Sequence, residues 1–299
     1  MIRLSDHDII QICIEKLSEY YNTPVRVFSS KPVGGGCISH ASKLSTTVGD
    51  FFLKWNATGA ADMFQKEAAG LDEMRDVENP FLVIPKVIWS KKTDELPGLL
   101  LMEFLQPAIS VKGFDEQLGR GIACLHRKTA SAFGFHHPNY CGTTVQDNTW
   151  NINWPDFYAE RRIGAIVKQI RNSRGMSAEE LQTYERLIVR ISDLLTHQTV
   201  PSLIHGDLWS GNYMYSANGP AIIDPACYYA DREMELGLMQ LFGGFSSQVW
   251  EAYQQEFPLP QGWQNRIRLY QLYHVLNHQL LFGGSYGGQA LEIAKEYAK

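Results

Sequence analysis

What this chain lacks narrows its possibilities first. No stretch approaches the roughly eighteen consecutive apolar residues of a membrane-spanning helix. The opening residues 1–8 do not have the shape of a signal peptide. Cations are not in excess: 27 Lys and Arg stand against 32 Asp and Glu, for a net charge of −5. That balance argues against a general nucleic-acid binder or an anionic-membrane binder. Cysteine is scarce and scattered. Cys13, Cys37, Cys124, Cys141 and Cys227 are odd in number, with no CxxC pair or Cys/His cluster to suggest zinc. Free thiols in a reducing cytoplasm are the expectation. Internal repeats and low-complexity segments are absent, and so is the GxxxxGK(S/T) pattern of a Walker-type phosphate loop.

What is present is an ordinary globular composition. The 299 residues are 44% hydrophobic and 20% charged, enough for two domains or one two-lobed domain with a sizeable core. Apolar spacing predicts a helix over 8–20, with Asp6 or Asp8 as N-cap, and strands over 25–30, 41–48 and 51–55. A helix follows over 60–77, with Phe64, Ala68, Leu71 and Met74 on one face, then strands over 86–90 and 99–104. After Pro107 the pattern turns helical: 114–127, 154–169, 178–196, 233–241, 246–257, 263–282 and 289–297. An aromatic-rich loop is expected over 129–154. The expected fold is α+β and bilobal. A β-rich N-lobe (1–106) carries one key helix, and a mainly helical C-lobe (107–299) follows.

One stretch organises the rest: His205-Gly206-Asp207-Leu208-Trp209-Ser210-Gly211-Asn212. It follows the apolar run Leu203-Ile204, and a second run, Ala221-Ile222-Ile223, ends in Asp224-Pro225. Two strand ends with a polar loop and a hairpin between them can bring Asp207, Asn212 and Asp224 together. A carboxylate, a carboxamide five residues on and a second carboxylate are the minimum for positioning a hydroxyl nucleophile and holding Mg²⁺ on a triphosphate. Asp207 is the candidate base, Asn212 and Asp224 the candidate metal ligands, and His205 a brace for the loop backbone.

Three features of the N-terminal part fit that chemistry. Gly34, Gly35 and Gly36 lie between two strands, where they form either a flexible hairpin or a flap whose N–H groups face phosphates. Lys54 interrupts the apolar strand Phe51-Phe52-Leu53-Lys54-Trp55 and needs a carboxylate or an anionic ligand; Glu67 on the next helix is the candidate partner. The segment Leu99 to Leu105 joins the lobes. Met102, Glu103 and Leu105 sit where backbone groups, the Glu103 C=O and Leu105 N–H, can meet an adenine edge.

In this order the residues resemble the protein-kinase-like superfamily, in its small-molecule branch with aminoglycoside and choline kinases. The similarity is closer to the fructosamine-3-kinase (ketosamine kinase) family. It is carried by GGGCISHAS at 34–42, Phe133-Gly134-Phe135, Cys141-Gly142-Thr143, Trp154-Pro155-Asp156-Phe157, HGDLWSGN at 205–212, Ile223-Asp224-Pro225-Ala226, Glu235-Leu236-Gly237-Leu238-Met239 and Phe242-Gly243-Gly244-Phe245. The resemblance implies ATP and Mg²⁺ in an interlobe cleft. It implies phosphoryl transfer to the O3 hydroxyl of ketoamine sugars on small amines or protein lysines, as deglycation repair. A kinase acting on another amino compound, of aminoglycoside or choline type, is the alternative. Asp224-Pro225-Ala226 stands where protein kinases have DFG, and the predicted helix at 233 leaves no room for an activation loop.

Substrate contacts are expected from Trp209, inside the catalytic loop, and from the acidic Asp231 and Glu233; Asp231 also reads as a helix cap. The aromatics of 150–157 either wall the pocket or fill the core. Cys37, after the three glycines, is read either as a redox thiol governing ATP binding or as an inert small residue. No nucleic acid or membrane partner is expected, and a monomer and a homodimer are both compatible with the sequence.

Overall fold

Helix α1 (Asp6–Tyr21) opens the chain on a reciprocal cap: the Ser5 hydroxyl accepts from the Asp8 N–H, and Asp8 accepts from the Ser5 N–H at 2.9 Å. Ser5, rather than Asp6 or Asp8, is therefore the N-cap. The computed structural model describes residues 5–34, 40–56, 60, 62–91, 98–109 and 112–299. An antiparallel sheet follows α1, in the order β1 (Val27–Pro32), β2 (His40–Thr46), β3 (Gly49–Asn56), β5 (Gly98–Glu103), β4 (Val87–Lys91). Helix α2 (Met63–Arg75) lies between β3 and β4 in sequence.

Strand alternation decides what this sheet presents to each side. Leu44, Phe51, Leu53, Leu99 and Leu101 point to one face and close a small core with Ile9, Cys13 and Leu17 of α1. Leu100 and Met102 join the opposite core with Phe64, Ala68, Leu71 and Met74 of α2. Lys54, paired in register with Leu100, is on that second face and only 8% exposed.

The C-lobe is built on α3 (Phe114–Arg127), α5 (Ala165–Arg174), α6 (Ala178–Leu194), α7 (Glu233–Phe242), α8 (Ser247–Glu256), α9 (Gln264–Phe282) and α10 (Tyr286–Tyr297). Three short ladders accompany these helices: β6 (Asn139–Cys141) with β7 (Thr144–Gln146), β8 (Ser202–Ile204) with β11 (Tyr228–Ala230), and β9 (Tyr213–Ser216) with β10 (Gly219–Ile222). The connector past β5 is tied to β9 through Ala108 N–H to Tyr215 O (2.8 Å) and Ala217 N–H to Gln106 O (2.9 Å). No described helix is long and apolar enough to cross a membrane.

Two segments differ from the sequence expectation. The 129–154 loop contains the β6–β7 hairpin and is strapped to the lobe, with Phe133 and Asn151 exchanging backbone bonds at 2.8 and 2.9 Å. Three-residue strands are too short to show a period. The helix expected over 154–169 runs on to Arg174 and is not uniform: α4 (Trp154–Asp156) passes into a π-helical stretch (Phe157–Gly164) before α5. Within that wide stretch Arg162 is wholly buried, its guanidinium 4.7 Å from the Phe157 ring and 4.1 Å from that of Tyr228.

Trp154 and Phe157 fill core rather than wall a pocket. Trp154 is 1% exposed, stacks on Phe157 and donates its indole N–H to Tyr270 Oη at 2.9 Å. Trp154→Phe leaves a partial cavity and removes that donor, so the fold should lose about 2–3 kcal/mol, measured by chemical denaturation. An unchanged midpoint would show that the site repacks freely.

Candidate active site

The catalytic stretch begins where β8 ends, and a buried carboxylate holds its first turn. Glu235, on α7, accepts from His205 N–H at 2.7 Å and from Gly206 N–H at 2.9 Å, and meets His126 Nε2 at 3.2 Å. Burial raises the Glu235 pKa, but the hydrogen bonds from His126 and the His205 N–H outweigh it, so the carboxyl is held below its ordinary value. Gly206 has a φ of +81°, and a Cβ there would come within 2.3 Å of the Ala226 carbonyl oxygen. Only glycine makes this turn.

Three bonds join the loop to the segment carrying Asp224. His205 Nε2 meets Ile223 O at 2.8 Å, and Ile223 N–H and Ala226 N–H donate to Asn212 O and His205 O, each at 2.9 Å. Asp224 itself takes a φ of 59°, unusual for a residue with a Cβ. Asn212 Nδ2 donates to the Asp207 carbonyl at 2.8 Å and reaches its carboxylate at 3.3 Å. Burial pushes the Asp207 carboxyl up to about 8, with Asp224 and Glu235 adding to the rise and the hydrogen bond from Asn212 and the neighbouring Cys141 thiol opposing it.

Lys54 Nζ lies 2.8 Å from Glu67 Oε1 and 2.7 Å from Asp224 Oδ1. Burial disfavours its charge, yet the two carboxylates outweigh that and hold its pKa above the ordinary value. Burial pushes Glu67 up to about 7, against the pull of Lys54. These residues open on one cleft of about 450 Å³ between the lobes. Val33, Ala41, Phe52, Met102, Phe104, Leu105, Met214 and Ile223 give the cleft an apolar lining, suited to a flat ring. Glu103 N–H and Phe104 N–H are committed to Lys86 O (2.9 Å) and Asp50 O (3.2 Å).

Trp209 also lines the cleft, 40% exposed and in edge-to-face contact with Phe242. A Cβ on Gly211 would come within 2.3 Å of the indole, so the ring lies where only glycine admits it.

The cleft thus gathers Gly34, Lys54, Glu67, Met102, Glu103, Leu105, Asp207, Trp209, Asn212 and Asp224. It does not include Asp231 or Glu233, a correction to the sequence expectation. Both carboxylates are 1% exposed and turned inward. Asp231 is bonded to His197 Nε2 at 2.6 Å and Tyr270 Oη at 2.7 Å, and it accepts the Glu233 N–H at 3.0 Å at the start of α7. Glu233 makes a bidentate pair with Arg266 at 2.6 and 2.7 Å. Gly35, Gly36 and Cys37 lie outside the described residues. Sequence reasoning missed Glu235, although the lone acid in the apolar run Met234 to Met239 was the available signal, and it missed Cys141 and Asn277, which also line the cleft.

A family model for fructosamine kinase matches residues 9–299. The chain is similar to the chloroplastic protein-ribulosamine 3-kinase of Arabidopsis thaliana, with 39% identity over 89% of this chain and 82% of that one. Among solved structures, a protein of Thermobifida fusca assigned as a fructosamine-3-kinase matches with a TM-score of 0.84 at 28% identity, over 95% of this chain and 97% of that one. An aminoglycoside phosphotransferase solved with AMP-PNP and hygromycin B shares the fold, with a TM-score of 0.63 at 17% identity, over 95% and 97% of the two chains.

Glu235→Gln puts an amide donor against two backbone donors. It should lower kcat about 100-fold by loosening the loop, and destabilise the fold by about 3 kcal/mol. Steady-state kinetics and denaturation read the two effects separately. Wild-type turnover would mean that the loop holds its shape without this carboxylate.

Proposed function

The chain belongs to the fructosamine kinase family, and from that premise we propose that it transfers the γ-phosphoryl group of ATP to the O3 hydroxyl of ketoamine sugars, fructosamines or ribulosamines. The observation that carries this reading is the convergence in one cleft of Lys54, Glu67 and Asp224, ion-paired within 2.8 Å, with Asp207 and Asn212 facing the same space. Phosphoryl transfer is mostly positioning and charge stabilisation, and this set supplies both.

In this reading the apolar lining takes adenine, and Lys54, braced by Glu67, grips the α- and β-phosphates. In its ionised form Asp207 orients the sugar hydroxyl and takes its proton as the oxygen bonds to the γ-phosphorus and the bond to the bridging oxygen of ADP breaks. The donor set suits Mg²⁺: Asn212 commits Nδ2 to Asp207, which leaves Oδ1 as its ligand end, and the Asp224 side chain is 38% exposed. When bound, the ion would neutralise charge on the triphosphate. Trp209 offers an aromatic face to the sugar or to the cationic amine substituent. Phosphate leaves the third sugar carbon more readily than hydroxide does, so the product breaks down and frees the amine, which supports a role in deglycation repair.

The names of relatives support ribulosamine or fructosamine acceptors. Four free thiols among the described residues fit a reducing compartment, and the cytoplasm is the place we propose.

Asp207→Asn should lose roughly 10³-fold in kcat, with KM for ATP little changed. ADP release measured on fructosyl-lysine, ribulosyl-lysine, glycated protein, an aminoglycoside and choline tests the acceptor. Turnover only on the last two would sink the ketoamine reading. Near-wild-type activity of Asp207→Asn would sink the assignment of the base.

A further inference from the structure

Cys141 ends the first strand of the β6–β7 hairpin and is 2% exposed, yet it borders the cleft beside Asp207. Its sulfur, an Asp207 carboxylate oxygen and a His274 ring nitrogen lie within 4.8 Å of one another. A chain of donors leads to that sulfur. Thr144 Oγ1–H donates to Asn277 Oδ1 at 2.5 Å, which fixes the end of the Asn277 amide that carries the protons. Asn277 Nδ2 in turn donates to Cys141 O at 3.3 Å and to Cys141 Sγ at 3.2 Å. A sulfur that accepts a bond on one side must point its own proton elsewhere, and of the two acceptors beside it, the Asp207 carboxylate and the His274 ring nitrogen, the anionic carboxylate is the stronger.

We propose that Cys141 is a positioning residue for the phosphoryl-transfer step: its S–H donates to the Asp207 carboxylate and fixes that side chain's rotamer, with the sulfur aimed by Asn277 and Thr144. This rests on the reading of Asp207 as the proton acceptor. Desolvation holds the thiol pKa well above its ordinary value, so the group stays protonated and donates. The same burial argues against a nucleophilic or redox role for this cysteine.

The geometry explains two features at once. Asp207 is held from one side by Asn212 within its own loop. Cys141 approaches from a different element, the hairpin anchored on α9 by Asn277 and by Gln146, whose amide donates to Tyr273 Oη at 2.9 Å. The carboxylate is thereby located by two parts of the lobe that are far apart in sequence. A thiol is a weak donor, so it can orient the carboxylate without tying up the oxygen that must face the substrate.

The test compares Cys141→Ala, Cys141→Ser and Thr144→Val with wild type and with Asp207→Asn. Cys141→Ala should lower kcat roughly 10-fold or more while KM for ATP and for the ketoamine stays within about 2-fold. Cys141→Ser keeps a donor and should recover kcat to within about 3-fold of wild type. Thr144→Val should lower kcat less, and its effect should vanish in the Cys141→Ala background. Equal kcat for the Ala and Ser variants, or losses that simply follow Tm, would overturn the proposal. So would an inactive Asp207→Asn beside a fully active Cys141→Ala, a result that leaves the kinase reading intact. An active Asp207→Asn would instead overturn both.

Discussion

Lys54 interrupts the apolar run Phe51 to Trp55 of β3, and its ammonium is shared by carboxylates from two other elements. Glu67 comes from α2 and Asp224 from the segment after β10. Sheet, helix and C-lobe loop therefore meet at one nitrogen. A buried amine without partners would lose its proton, whereas with two carboxylates it keeps the charge. The position of α2 relative to the sheet, and of both relative to the C-lobe, is expressed in this contact. Tyr140 Oη on Asp62 (2.7 Å) and Tyr229 Oη on Glu73 (2.6 Å) tie the same helix down on its other side.

The C-lobe half of the cleft depends on a second buried charge. The Glu235 carboxylate accepts from the backbone N–H groups of His205 and Gly206, so a buried anion fixes its own pair of donors. From that fixed turn, the bonds among His205, Asn212, Ile223 and Ala226 carry the order outward to Asp224. The left-handed Asp224 persists because its neighbours on both sides are pinned. Charge is thus buried where it sets loop geometry, and the apolar core surrounds it.

Much of this was legible in the sequence, for reasons that differ residue by residue. Lys54 was visible because a strand with period two exposes any charge out of place. Asp207, Asn212 and Asp224 were visible because local spacing between strand ends brought them together. Asp231 and Glu233 misled because nearness in sequence to Asp224 suggests nearness in space. The chain turns inward through β11 before α7 starts, so both side chains enter the lobe interior instead. The partnership of Cys141 with Asp207 spans 66 positions and rests on a hairpin of three-residue strands. Neither periodicity nor spacing carries such a contact. The π-helical stretch was hidden for a similar reason: a buried Arg162 reads as an ordinary surface cation until the rings around it are known.

The segment between Asp224 and α7 is eight residues long, and three of them form β11, paired with β8. A span so short leaves no room for the activation loop whose phosphorylation switches protein kinases. For a ketoamine kinase this has a metabolic reading. Throughput would be governed by mass action: at adduct levels below KM, flux rises in proportion to the damage present. Such an enzyme is its own gauge, idle when sugars have left amines alone and busier as adducts accumulate.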